Sequence, residues 1–407
     1  MNRLLLIGAL APALVFPQAP GRQKRVVSDA EVLRVHKSAI LIDTHNDVPS
    51  DTVAGLDLGR ANSVTHTDIP RMRKGGMGAQ FFAAYVAARY VETNGAAKRA
   101  FEMIDSVRHD VVERYPNDFV LATTAADIRR AHKQGKMAAL IGIEGGHAIE
   151  DSLRLLRRFY DEGVRYMTLT HVNSNHWADS SGDTEKPNNG LSPFGKEVVR
   201  EMNRLGMIVD VSHVSDKTFW DVLATSSAPV FASHSSCRAI SPAARNLTDE
   251  MIAALAKNGG VVQINFECGF LNPEVARAEK ERAPQMSKME NELIAKYAAD
   301  PLGLARAMHE SWTAAFGANG PRATLADVVK HIDHVVQVAG VDAVGLGSDF
   351  DGISCAPEGL DSVDRWPNLT RALLEDGYTP AEIRKIYGEN TLRLMSEVER
   401  RRRRPVF

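Results

Sequence analysis

From Ala39 onward the chain alternates short apolar runs with amphipathic stretches. Eight runs stand out: Ala39 to Thr44, Gly78 to Val86, Ala138 to Ile143, Val164 to Thr170, Gly206 to Ser212, Pro229 to Ser233, Gly260 to Phe266 and Asp342 to Ser348. Their apolar character is continuous rather than alternating, as in strands covered on both faces. Eight such strands separated by helices predict an α/β fold, a single (β/α)₈ TIM barrel whose parallel strands open their C-terminal ends onto one face.

The segments between the runs carry helix signals. Asp151 and Ser152 precede a stripe of Leu153, Leu156, Phe159 and Tyr160 that Gly163 closes; Ser215 caps a segment carrying Phe219, Val222 and Leu223; Thr248 caps one ending at Gly259. Thr379, Pro380, Ala381 and Glu382 combine a capping box with proline at the first helical position, ahead of Ile383 and Ile386. The rhythm breaks once. Leu271 to Ala323, rich in Glu, Lys, Arg, Ala and Met, is roughly fifty residues long, far beyond a plain βα loop. It predicts a helical insertion after the seventh strand: a lid or dimer contact at the rim, or a solvated excursion with no role in the site.

Composition sets boundaries on this picture. The 407 residues are 44% hydrophobic and 25% charged, an ordinary globular balance. A formal net charge of -2 gives no electrostatic reason to expect nucleic acid, so a small molecule is the partner to expect. Arg3 followed by the apolar stretch Leu4 to Phe16 reads as a signal peptide within residues 1–25, short of the about 20 apolar residues a span needs. Ala19 can sit at the cut, although Pro17 then occupies a position that prefers a small residue. The expected product is exported, periplasmic or secreted, with one barrel domain over 26–398 and a solvated basic tail over 399–407. That tail offers no apolar stretch for a lipid anchor or a span, so no stable membrane anchor is expected. Cys237, Cys268 and Cys355 are odd in number and far apart in sequence; no disulfide framework is expected, although export permits one bridge.

The candidate chemistry lies where the runs end. The first ends in His45 and Asp47, the third in Glu144, the fourth in His171, the fifth in His213, the sixth in His234 and the eighth in Asp349. A barrel brings those ends to one cup, the face on which such folds place their active sites. Imidazoles and carboxylates without a thiolate suit zinc, manganese or iron in a hydrolytic site, and a carboxylate such as Glu144 can bridge two ions. Other histidines read as bland. His331 and His334 lie on a helix as surface or interhelix residues, His147 belongs to a loop, and His176 beside Trp177 is at most a mouth residue. Asp43, two before His45, is expected to orient it by a buried hydrogen bond.

LIDTHND at 41–47, GIEGGHAI at 142–149, VRYMTLTH at 164–171, DVSHVSD at 210–216, ASHSSCRAISPAARNLTDEMI at 232–252 and GLGSDFDG at 345–352 together resemble the renal (membrane) dipeptidase family. Its members are zinc metallopeptidases on an amidohydrolase-like barrel, and the resemblance runs from about Val32 to Val398. It implies two Zn²⁺ ions, one held by His45 and Asp47 and the other by His213 and His234, with Glu144 bridging them. It further implies that His171 contacts substrate and polarises the scissile carbonyl, that Arg245 binds the substrate's C-terminal carboxylate, and that Asp349 handles protons. The tail lacks the lipid-anchor signal of the animal members, and the insertion at Leu271 to Ala323 has no residue-by-residue match to the family.

The implied reaction is dipeptide hydrolysis, with tolerance for a D-residue at the C-terminal position. A cation pair lowers the pKa of a shared water from near 16 toward about 7. Asp349 then passes a proton to the leaving amine, and His171 meets the developing oxyanion. Arginine grips a carboxylate with two parallel hydrogen bonds, a fit lysine does not reproduce. The rival activities are a metal-dependent deacylase or lactonase on the same barrel, because a metal site does not name the scissile bond. A non-catalytic binding protein is the third alternative, against which the intact ligand set argues.

Overall fold

Nine strands among the described residues form one parallel sheet: β1 (Leu41–Asp43), β2 (Met77–Tyr85), β3 (Phe119–Leu121), β4 (Met137–Glu144), β5 (Val164–Thr168), β6 (Ile208–Asp210), β7 (Phe231–Ala232), β8 (Val261–Ile264) and β9 (Val344–Leu346). The computed structural model describes residues 22–93, 95–316 and 320–403, so nearly all of the expected leader and the end of the tail lie outside the described residues. Neighbours run β1-β2-β4-β5-β6-β7-β8-β9, and all eight expected runs are strands of this path. The ninth, β3, pairs only with Met137 to Ala139 of β4, before β5 takes over from Ile141. The ring is closed just beyond β1 and β9, where the Thr44 N–H donates to the Leu346 carbonyl at 3.1 Å and the Asp47 N–H to that of Phe350 at 2.9 Å. The result is the nearly closed eight-stranded barrel that the pattern predicted.

Alternation sorts the buried side chains into two bodies. Phe81, Leu140, Tyr166, Ile208, Phe231 and Val261 form one cluster inside the barrel, while Ala139, Ile141 and Ile143 of β4 belong to the larger cluster under the helices. Residues two apart on a strand share a face, so Glu144 follows Leu140 and Gly142 toward the barrel axis. The helices start where the capping residues predicted: Ser152, Ser215 and Thr248 accept from backbone N–H groups of Leu153–Asp161, Asp216–Thr225 and Asp249–Lys257. Thr379 forms its capping box on Pro380–Arg384, which continues through a π turn into Asn390–Arg401. The last helix runs to Arg401, where Arg400 and Arg401 both pair with Glu397. At Gly388, in the π turn, a Cβ would lie 2.2 Å from the Ile40 carbonyl, so only glycine lets this turn press against the residue that leads into β1.

The insertion after β8 is helical, as expected, with helices Pro273–Lys296 and Pro301–Phe316. Trp312 Nε1 donates to Glu290 across the pair at 3.1 Å, and the second helix touches Pro49–Thr52, just after Asp47. Cys268 and Cys355 form one disulfide, and Cys237 is buried and free. There is thus no framework but a single bridge, tying the root of the insertion to the loop after β9. No helix among the described residues is long and apolar enough to cross a membrane.

Candidate metal centre

Each side chain marked at a strand end enters the same cup. His45 Nε2 stands 3.2 Å from Asp47 Oδ2, 3.5 Å from Glu144 Oε2 and 3.9 Å from Asp349 Oδ1. The other oxygen of Glu144, Oε1, faces His213 Nε2 at 2.9 Å and His234 Nε2 at 3.1 Å, and those two nitrogens are 3.0 Å apart. The His45 and His234 rings stack at 3.7 Å, and His171 lies 4.6 Å from His213. Three groups place their ligand atoms within 4.8 Å of one another: His45, His234 and Asp349; Glu144, His171 and His213; His45, Asp47 and Glu144. The cup opens beside His213 and Asp349, whose side chains stay 11% and 13% exposed while those of His45 and His234 are fully buried.

This donor set fits divalent cations. His45 Nε2 is buried without a hydrogen-bond partner, and so is His171 Nδ1. Buried nitrogens and carboxylate oxygens converging lone pair to lone pair are unfavourable unless positive charge lies among them. His213 and Asp349 also adopt left-handed backbone, with φ of 67° and 64°. For non-glycine residues that costs on the order of 1–3 kcal/mol each, a strain that clusters at functional sites.

The layer below holds these groups in place. Tyr166 Oη lies 2.7 Å from His45 Nδ1. Asp210 gathers donors from Thr168, Ser212 and Ser233, and Ser233 Oγ lies 2.6 Å from His234 Nδ1. Asn265 donates to Asp349 Oδ2 at 2.8 Å. Asp43 accepts from Ser348 Oγ and N–H at 2.6 and 2.8 Å and from the His45 N–H at 3.4 Å, so it anchors the backbone of His45, whereas Tyr166 holds the ring. Arg245 reaches back over the cup from the loop after β7, donating to Ser235 Oγ at 2.8 Å and to the His234 carbonyl at 3.0 Å. Its Nε remains buried and unpartnered.

Electrostatics follow from this crowding. Burial drives His213 and His234 well below the ordinary histidine range, which keeps them in the neutral form that coordinates a metal. Burial and, less strongly, Arg245 also lower His171. Burial opposes ionisation of Glu144, yet His45, and then the hydrogen-bonding rings of His213 and His234, hold it well below the usual carboxylate range. Burial, with Asp47 and Glu144 alongside, pushes Asp349 well above it.

The remaining histidines sit apart. His331 is fully buried rather than at the surface, bridging the Cys237 N–H and the Leu271 carbonyl at 3.0 Å each. His334 pairs with Asp249 between helices at 2.7 Å. His147 bonds the Ala87 carbonyl at 3.2 Å, and His176 pairs with Asp151 in the open. The pattern of run ends did not mark Tyr166, Asp210 or Asn265. A tyrosine and an aspartate inside otherwise apolar runs were their only trace.

The comparisons agree with this geometry. The chain is similar to the crystal structure of the probable dipeptidase PvdM from Pseudomonas aeruginosa, at 28% identity and a TM-score of 0.77, over 91% of this chain and 98% of that one. It is similar to the dipeptidase AC, a metallo peptidase of family M19, at 27% identity and a TM-score of 0.72, over 88% and 98%. A metallo peptidase from Rhodobacter sphaeroides, liganded with a phosphinate mimic of the dipeptide L-Ala-D-Ala, matches at 26% identity and a TM-score of 0.71, over 88% and 99%. Residues 29–405 match the membrane dipeptidase family, peptidase family M19. A barrel whose strand ends gather imidazoles and carboxylates, matched along almost its whole length, thus belongs to the membrane dipeptidase family and is a metallo-dipeptidase hydrolase.

Proposed function

We propose that this protein is an exported dinuclear zinc dipeptidase. The observation that carries the proposal is the division of Glu144 between two sets of donors: Oε2 toward His45, Oε1 toward His213 and His234. His45 and Asp47 would hold one ion and His213 and His234 the other, with Glu144 shared. Imidazole with carboxylate suits zinc. Bound cations would supply Lewis acidity and acidify a shared water toward about 7.

The chain's own groups then divide the work. Arg245 takes the C-terminal carboxylate of the dipeptide and fixes its position over the cup. His171, kept neutral by burial, retains one ring N–H for the oxygen of the scissile carbonyl. Asp349, whose carboxyl holds its proton more firmly than usual, passes a proton to the departing amine. An anchor for one terminal carboxylate beside the metal-binding side chains suits a substrate of two residues. Tolerance of a D-residue at the C-terminal position is supported by the ligand of the Rhodobacter sphaeroides relative. The Cys268–Cys355 disulfide supports an oxidising compartment, in line with the apolar leader.

Stripping metal with a chelator is expected to abolish hydrolysis of L,L and L,D dipeptides, and zinc add-back to restore it. Activity that survives complete metal removal overturns the proposal.

A further inference from the structure

Beneath the cup, Asp210 is the meeting point of four donors. Its Oδ2 accepts from Thr168 Oγ1 at 2.5 Å and Ser233 Oγ at 2.6 Å; its Oδ1 accepts from the N–H groups of Ser233 at 2.8 Å and Ser212 at 3.0 Å. Ser233 has a single hydroxyl hydrogen. With that hydrogen directed to Asp210, the 2.6 Å contact between Ser233 Oγ and His234 Nδ1 needs its proton from the ring. The proton therefore sits on Nδ1, and the Nε2 lone pair is left facing Glu144 and His213. His45 is backed differently, by the Tyr166 phenol at 2.7 Å.

We propose that Asp210 is a positioning residue for the metal centre: through Ser233 it fixes the Nδ1–H tautomer of His234 and so keeps that ring ready to coordinate. The proposal rests on the reading of the cup as a metal site. In that reading the partner that orients the unligated nitrogen of a histidine is worth about ten- to a hundredfold in metal affinity. Asp210→Asn discriminates sharply. The amide oxygen can still accept from the two backbone N–H groups, but its NH₂ replaces Oδ2 and donates. Ser233 then turns its hydrogen to the nearer acceptor, His234 Nδ1 at 2.6 Å rather than Ser212 Oγ at 3.5 Å, which moves the ring proton to Nε2 and closes that lone pair to metal. Ser233→Ala removes the link without altering the carboxylate. Thr168→Val removes a donor to the same oxygen that is not on the path to His234.

Zinc affinity is measured by chelator competition, and ring tautomers by nitrogen NMR of the metal-free protein with labelled histidine. The wild-type protein must first bind zinc; failure there overturns the metal-centre reading and this inference with it. Given wild-type binding, the expected result is a ten- to hundredfold weaker zinc step in Asp210→Asn and Ser233→Ala. The His234 proton moves to Nε2 in Asp210→Asn, while Thr168→Val keeps both wild-type affinity and tautomer. Wild-type affinity in Ser233→Ala, or an unchanged tautomer in a folded Asp210→Asn, overturns the inference. If Asp210→Asn does not fold, Ser233→Ala decides alone.

Discussion

Arg245 shows how much a single side chain decides here. Two of its nitrogens are engaged with Ser235 and the His234 carbonyl, while its Nε is buried without a partner. Removing one partner of a buried, hydrogen-bonded charge pair costs about 2–5 kcal/mol. Arg245→Ala is therefore expected to lower kcat/KM for dipeptides at least about thirtyfold, mainly through KM, with Arg245→Lys recovering only part. Steady-state kinetics on a dipeptide and on its C-terminal amide check this: the amide is expected to lose little, and equal losses on both would remove the carboxylate from the argument. Gly142 matters by absence. A Cβ there would lie 2.1 Å from the Tyr166 ring, whose hydroxyl holds His45. Gly142→Ala is expected to cost about 1–3 kcal/mol by overpacking and to weaken zinc binding, read by denaturant titration and chelator competition. At this scale the sequence was legible where a polar group closes an apolar run, as at His45, Glu144 and His213. It was silent where the partner is remote: Tyr166 meets His45 across 121 residues, and a tyrosine among buried aliphatics looks like core.

At the scale of elements, period and capping carried most of the fold. Long buried strands such as β2 and β4 announce themselves as unbroken apolar runs, and Thr379 to Glu382 announces a helix start. β3 went unmarked because three residues, two of them only partly buried, leave no pattern to count. The pairing of Cys268 with Cys355 was equally invisible, since 87 residues separate them in the chain and only folding brings the Cα atoms to 5.4 Å. That bridge joins the loop after β8 to the loop after β9. Glu267 reinforces it by accepting from the Ser354 N–H at 2.7 Å. A cross-link closing so long a loop stabilises by about 2–4 kcal/mol. Cys355→Ser is expected to lose that much in denaturant titration and to abolish any effect of reductant on the midpoint. A midpoint that does not respond to reductant in the wild-type protein would remove the bridge from the stability of the fold.

Across the whole molecule, the junction between barrel and insertion rests on two acids. Glu267, after β8, is buried beside Glu279 of Pro273–Lys296, and two neighbouring carboxyls out of water resist ionising together. Burial, then the neighbouring Glu279, raises Glu267 from 4.5 to about 8. The folded chain thus keeps a proton that the unfolded chain releases near 4.5, so stability falls as pH climbs from there through about 8. Other buried groups act lower in the range. Asp43 and Asp51, raised to about 6 and about 7, act in the same direction, whereas His147 and His331, lowered to about 4, act in the opposite one below 6.5. Between pH 7 and pH 9 Glu267 gives up most of its proton, whereas Asp51 completes only the second half of its titration. In Glu267→Gln the side chain at this position has no proton to lose at any pH. The melting temperature of the zinc-loaded wild-type protein is therefore expected to fall by a few degrees between pH 7 and pH 9, while Glu267→Gln stays flatter over that interval. Parallel slopes in the two proteins would mean that the acid pair does not couple the insertion to the barrel.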